Sequence, residues 1–295
     1  MEDQYLYTIT ITTHMQYETP LEVFFEGYPS SGIVFQIDCD HPDKIICSVY
    51  FDTEPDIAHI RLALKQLFEE LEADGLPEGG FELTSSISGR NEWLESWKVH
   101  FKTMKIGKRL VVTPSWENYK KSKPDEIVIT CDPGMAFGTG QHPTTRFCLE
   151  VLDEYVRSGC SVLDMGCGSG ILAVAASALG AGDVYGFDND PVAIEFAEEL
   201  SRTNNTAAGV HFYLSDLDQF KPERKYDIVV ANLFAELLVQ YKDTIIQLLH
   251  KDSILALTGI LYTRMEMVSR EFTDCGLTVI RAYQENEWRG LLLKP

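Results

Sequence analysis

The sequence predicts an α/β protein: a doubly wound sheet over residues 126–295, with a smaller α+β domain in front of it. Three observations carry this. Strand-like and helix-like stretches alternate through residues 126–295, the pattern of a mainly parallel sheet with helices on both faces. An apolar run, Val162 to Met165, passes through Gly166-Cys167-Gly168-Ser169-Gly170 into an Ala- and Leu-rich helical segment. Residues 1–89 read in the order β-α-β-β-α-β, that of a ferredoxin-like fold.

In the N-terminal domain, Tyr5–Ile11 alternates in β fashion, and Pro20–Phe25 reads as a short helix. Gly32–Ile37 and Ile45–Phe51 are strands rich in β-branched and aromatic residues. Between Asp56 and Ala73, Ile57, Ile60, Leu64, Leu67, Phe68 and Leu71 form a helical stripe that Asp56 opens and Gly75 closes. Phe81–Ile87 is a further strand. The exposed sheet face or helix pair of such a unit suits binding better than catalysis. Residues 90–125 read as a linker. Trp93 and Trp97 are spaced for one face of a short helix. Lys98, Lys102, Lys105, Lys108 and Arg109 make a basic patch, and Lys120, Lys121, Lys123 and Pro124 mark a turn or flexible segment. Aromatics among cations also occur in nucleic-acid sites; a connecting helix and hairpin is the preferred reading here.

The second domain, 126–295, gives seven strands near 161–165, 183–187, 210–214, 227–231, 253–258, 277–283 and 288–293. Helices are expected near 143–157, 170–179, 190–203, 234–250 and 263–274. No helix separates the last two strands, so the final one is expected to pair antiparallel. Ligands of doubly wound sheets bind beyond the carboxyl ends of the strands. Asp164, Asp188, Asp216 and Asn232 fall there.

The chain has 295 residues and a formal charge of −20, which disfavours a protein that tracks a phosphate backbone and suits a basic partner. Seven cysteines form no C-x-x-C pair and no zinc spacing, so no metal is expected. The N-terminus is acidic and polar, unlike a signal peptide, and no apolar run has membrane-spanning length. These features predict a reduced, cytoplasmic protein, by default a monomer.

The glycine spacing narrows the ligand. A dinucleotide fold wants G-x-G-x-x-G, but here the third glycine comes one position early and Ile171 holds the last place. A carboxylate just before the turn, Asp164, repels a pyrophosphate and suits an ammonium. Asp188 follows Gly166 by 22 residues, where an acid grips ribose hydroxyls. The combination predicts S-adenosylmethionine (SAM), which has an ammonium, a sulfonium and a ribose but no phosphate. It argues against an NAD-dependent oxidoreductase. A second stretch, Asp132–Arg146, places Gly134, Gly138 and Gly140 in a loop with Met135 and Phe137 able to shield a ligand, and then starts a helix at Pro143. His142 is a weak candidate for a general base and more readily structural. Asn232, at the end of the fourth strand, can accept a hydrogen bond from a substrate amine; it also suits a helix N-cap.

These runs together resemble the ribosomal protein L11 methyltransferase family. The resemblance is carried by DPGMAFGTGQHPTTR (132–146), VLDMGCGSGILA (162–173), GFDNDP (186–191) and ANL (231–233). It also shows in Trp93–Phe101, Gly107–Leu110, Pro114-Ser115-Trp116 and Gly290–Leu293. It implies a class I methyltransferase sheet and a SAM-dependent N-methyltransferase acting on Lys side chains and/or the N-terminal amine of ribosomal protein L11. The alternative is a SAM enzyme acting on another protein or a small molecule. The resemblance implies cofactor contacts at Thr145, Gly166, Asp188 and Asn232, the adenine near Asp216, and Phe137 in the loop that covers the ligand. It also assigns substrate recognition to the N-terminal domain.

Overall fold

The computed structural model describes residues 5–38, 41, 43–73, 75–77, 79–89, 101–132, 140–220 and 224–295. The chain divides into two compact units, Met1–His100 and Phe101–Pro295. The first runs β1 (Tyr5–His14), α1 (Glu18–Glu26), β2 (Gly32–Ile37), β3 (Lys44–Phe51), α2 (Ile57–Ala73) and β4 (Glu82–Gly89). Its four strands pair antiparallel in the order β2-β3-β1-β4. Alternation decides which face is buried: Ile45, Cys47, Val49 and Phe51 of β3 point to the helices, and the residues between them do not. Helix α2 buries Ile60, Leu64 and Phe68, one residue per turn, and Phe68 stacks on Tyr17 with ring centroids 4.1 Å apart. Each such side chain contributes about 1.5–3 kcal/mol by leaving water.

The second unit begins before the expected boundary. Residues 101–125, read from sequence as part of a linker, belong to it. They form β5 (Met104–Ile106) and β6 (Leu110–Thr113), which pair antiparallel, and β6 runs parallel to β7 (Ile127–Thr130). All four residues of β6 are buried. Two cations of the basic patch, Lys105 and Arg109, pair with buried carboxylates. Glu126, 3% exposed, accepts from Lys105 Nζ at 2.9 Å, from Tyr119 Oη at 2.9 Å and from Ser122. These donors hold its carboxyl far below the usual carboxylate range, with the Ser122 hydroxyl first among them. Asp153, 5% exposed, accepts from the Lys108 and Arg109 backbone amides at 2.6 and 3.3 Å and from Arg109 Nε at 3.0 Å. Gly107 makes room for that carboxylate: its φ is +62°, and a Cβ there would lie 2.5 Å from Asp153 Oδ2. The short helix expected at Trp93 and Trp97 lies outside the described residues.

The main sheet follows α3 (Pro143–Tyr155). Its strands and helices are β8 (Ser161–Met165), α4 (Ile171–Ala178), β9 (Asp183–Asp188), α5 (Pro191–Thr203), β10 (Val210–Leu214) and β11 (Tyr226–Asn232). Then come α6 (Ala235–Gln240), α7 (Lys242–Gln247), β12 (Leu249–Leu261), α8 (Met265–Thr273), β13 (Thr278–Glu285) and β14 (Trp288–Lys294). The spatial order is β10-β9-β8-β11-β12-β14-β13. β10 through β12 pair in parallel, and β14 runs antiparallel to both its neighbours, as the missing crossover helix requires. The helix expected at 234–250 is two, broken at Tyr241 (φ −101°, ψ 15°), and its last residues belong to β12. Both faces are packed. Val162, Ile228 and Val230 meet a core with Phe147 and Val174, while Leu163, Met165 and Val229 meet one with Leu238 and Phe272. That is why the strands read as continuous apolar runs.

Removing Asp153 leaves two part-buried backbone donors and the part-exposed Arg109 guanidinium without their carboxylate. Asp153→Ala is expected to lower unfolding stability by about 1–3 kcal/mol in urea titration. Glu198→Ala, which removes a solvent-exposed i,i+4 pair with Arg202, is expected to cost less than about 0.5 kcal/mol.

Candidate functional site

The direction of chain crossover reverses between β8 and β11, and the carboxyl ends of these strands with β9 and β10 form the crevice where doubly wound sheets take ligands. Three glycines shape its floor. Gly166, Gly168 and Gly170 have φ of +68°, +50° and +76°, so the turn is left-handed at every second residue. Two of them are also confined by packing. A Cβ on Gly166 would come 2.6 Å from Leu233 Cδ2, and one on Gly170 would come 2.7 Å from the Ala197 methyl. The amides of Gly166 and Cys167 both donate to Phe187 O, at 3.0 and 2.9 Å, which locks the turn against the end of β9.

Asp164 lies beneath this turn, fully buried. Its Oδ2 accepts from Ala173 N, in the first turn of α4, at 3.2 Å, while Oδ1 is buried with no hydrogen-bond partner. Burial pushes the carboxyl up to about 7; the Ala173 amide opposes the rise and the charge of Asp188 adds to it. A buried carboxylate oxygen short of a donor is unfavourable to any anionic ligand and is relieved by a cationic one. Thr145 supplies a second orphan: the residue is 1% exposed and its Oγ1 has no partner. It sits in the first turn of α3. The chain just before that helix packs on α4, since a Cβ on Gly140 would touch Ile171 Cδ1 at 3.4 Å.

Asp188 ends β9 and is half-buried. Its Oδ2 accepts from Gly168 N at 2.9 Å and its Oδ1 from Asp190 N at 3.0 Å. A carboxylate has about four acceptor sites, so capacity for hydroxyl groups remains. Ser215 N donates to Asp188 O at 2.9 Å, which sets Asp216 beside this strand end. Asp216 is exposed, and its Oδ1 accepts from Asp218 N at 3.2 Å. Asn232 closes β11, half-buried, next to the Leu233 that packs on Gly166. Leu233 is in turn held by Thr258 O, which accepts its amide at 3.1 Å. The structure thus brings Asp164, Gly166, Asp188, Asp216 and Asn232 to neighbouring strand ends and places Thr145 in the first turn of α3. Gly134, Met135, Phe137 and Gly138 lie outside the described residues.

His142 is the N-cap of α3. Its Nδ1 accepts from Thr144 N at 3.4 Å and lies 2.7 Å from Thr144 Oγ1. Burial, then the charge of Arg146, lower its pKa to about 4, against the pull of Glu285. A neutral imidazole whose lone pair caps a helix is a poor general base. Two packing residues went unread in the sequence. Leu233 occupies the space that Gly166 leaves. Phe212 fills the space at Gly170 and Gly186, where a Cβ would come within 2.9 Å of its ring. Glycines at 166, 170 and 186 were the available signal, because each marks a close approach by another group.

This set of acceptors fits a cationic, phosphate-free nucleoside, and with this topology it defines the class: a SAM-dependent methyltransferase. A family model described as Ribosomal protein L11 methyltransferase (PrmA) matches residues 8–295, and the chain belongs to that family. The ribosomal protein L11 methyltransferase of Clostridium perfringens strain 13 is 38% identical over 256 residues, which cover 86% of this chain and 81% of the relative. That of Bacillus licheniformis is 32% identical over 280 residues, covering 94% and 89%. The crystal structure of ribosomal protein L11 methylase from Lactobacillus delbrueckii subsp. bulgaricus superposes with a TM-score of 0.60 at 27% identity, over 66% of this chain and 98% of that one.

Asp164 gives the site a pH signature. The folded protein keeps its proton up to about pH 7, whereas the unfolded chain releases it near 3.8. Stability therefore falls as pH rises between these values. Without ligand, Asp164→Asn is expected to melt above wild type at pH 8, with the gap closing towards pH 4. A cation bound above favours the ionised acid. The wild-type Kd for SAM, by calorimetry, is expected to tighten as pH rises towards about 7 and then level off. Asp164→Asn is expected to bind more weakly and to lose that dependence.

Proposed function

We propose that this protein is a SAM-dependent N-methyltransferase that modifies Lys side chains and/or the N-terminal amine of ribosomal protein L11. The observation that carries the reading is the donor-short carboxylate of Asp164 under a left-handed glycine turn at the sheet's switch point. Membership in the L11 methyltransferase family supports the substrate. In this reading Thr145, Gly166, Asp188 and Asn232 contact the cofactor, Asp216 lies by its adenine, and Phe137 covers it.

SAM, when bound, supplies a methyl group on an electrophilic sulfonium. The protein's part is alignment and desolvation. A lysine amine has a reference pKa of about 10.4 and has no lone pair while protonated. Burial in the crevice favours its neutral form. Asn232, fixed at the end of β11 by the packing of Leu233, accepts one amine hydrogen through its side-chain oxygen and leaves the lone pair directed into the crevice. Orientation of this kind is worth up to about 7–11 kcal/mol in well-aligned reactions, so the site needs neither a strong base nor a covalent intermediate.

The N-terminal unit, in this reading, is a ferredoxin-like domain that recognises the protein substrate. Its element order and its β2-β3-β1-β4 antiparallel sheet support the assignment. The protein acts as a cytoplasmic monomer on a basic protein, without contacting nucleic acid. The pairing of Lys102, Lys105 and Arg109 with Glu117, Glu126 and Asp153 supports this last point. No helix among the described residues is long and apolar enough to cross a membrane.

Mass spectrometry of purified L11 after incubation with the enzyme and labelled SAM tests the reading; unlabelled L11 would refute it. Asn232→Ala is expected to lower kcat by about 10²–10³-fold with a much smaller change in the Kd for SAM. Equal losses in both would assign Asn232 to the cofactor alone.

A further inference from the structure

Negative charge is concentrated at one end of the chain. Residues 1–89 carry seventeen carboxylates against three cations, Lys44, Arg61 and Lys65: a formal −14 of the total −20. A field of this sign draws in cationic proteins, but acidity alone does not say where they settle.

The N-terminal unit also holds a groove of about 310 Å³ between β1, β4 and the start of α2. α2 reaches β4 at Leu83, whose carbonyl accepts from Arg61 Nη2 at 3.3 Å, and leaves that strand open at Ile87. On the side of the sheet that bears the helices, Tyr7 pairs with Ile87 and Ile9 with Ser85. Ile9 is 1% exposed and Tyr7 half-buried, yet Ile87 is 61% exposed. Ile57 of α2 lines the groove, and the exposed Glu54 lines it as well. An isolated exposed isoleucine is ordinary. This one borders a concave apolar site with a carboxylate in its lining, on the most acidic part of the molecule.

We propose that this groove is the docking point for the basic protein substrate. An apolar side chain of that substrate seats between Tyr7, Ile57 and Ile87, and a neighbouring Lys or Arg pairs with Glu54. The inference rests on the functional reading above. It adds the anchor that brings the protein substrate to the enzyme.

The test uses the full-length enzyme and purified ribosomal protein L11. Ile87→Lys and Glu54→Lys are expected to raise the KM for L11 by about tenfold or more, as loss of an interface anchor does. The kcat at saturating L11 and the Kd for SAM are expected to stay within about twofold. Ile87→Ala, which adds no charge, is expected to give a smaller rise and decides the matter if Ile87→Lys lowers the Tm. An unchanged KM in these variants, while the wild type methylates L11, overturns the groove and leaves the function standing. A rise confined to Glu54→Lys reduces the effect to long-range steering and also overturns the groove. Failure of the wild type to methylate L11 overturns the functional reading, and the groove with it.

Discussion

The site depends on one contact, the acceptance of the Ala173 amide by the buried carboxylate of Asp164. It joins the end of β8 to the first turn of α4 and so sets the glycine turn between them. A helix N-terminus is short of acceptors for its amides, and Asp164 supplies one from inside the sheet. The same burial that makes this acceptor effective leaves the other oxygen without a partner. Strength in one direction thus creates a need in the other. That need is what a cationic group relieves, and a dinucleotide site, whose ligand brings phosphate to the same turn, has no use for it.

The rest of the crevice follows from this junction. Gly166 and Cys167 reach Phe187, Gly168 reaches Asp188, and Asp188 through its carbonyl reaches Ser215. Each strand end is thereby registered against the next by backbone groups. The polar side chains at these strand ends are few, while the scaffold that spaces them is mostly peptide. Rigid spacing suits a reaction in which the protein contributes orientation more than acid–base chemistry. His142 agrees with this: the one imidazole in the loop region is committed to capping α3.

Much of this was legible in the sequence. Central strands buried on both faces, glycines at every second position and acids at strand ends are local signals, and all seven strands of the main sheet overlap the stretches expected, β12 starting earlier than its pattern indicates. What escaped depends on distant partners. The β5–β6 hairpin was expected in the connector, but not that it belongs to the second unit, because nothing local shows that Glu126 and Asp153 pair with Lys105 and Arg109. The break at Tyr241 divides a continuous helical pattern, and the segment after it turns early into β12. Leu233 and Phe212 were invisible as site-builders, since their role is to occupy volume that glycines forgo. Phe137, which the family resemblance picks out, lies in a stretch outside the described residues.

The tie between Gly107 and Asp153 reaches across 46 positions of chain. Neither residue tolerates change alone: a side chain at 107 collides with the carboxylate, and a smaller residue at 153 abandons two peptide N–H groups and Arg109. The two positions are therefore coupled across the length of chain between them, so that the space one leaves is the space the other fills.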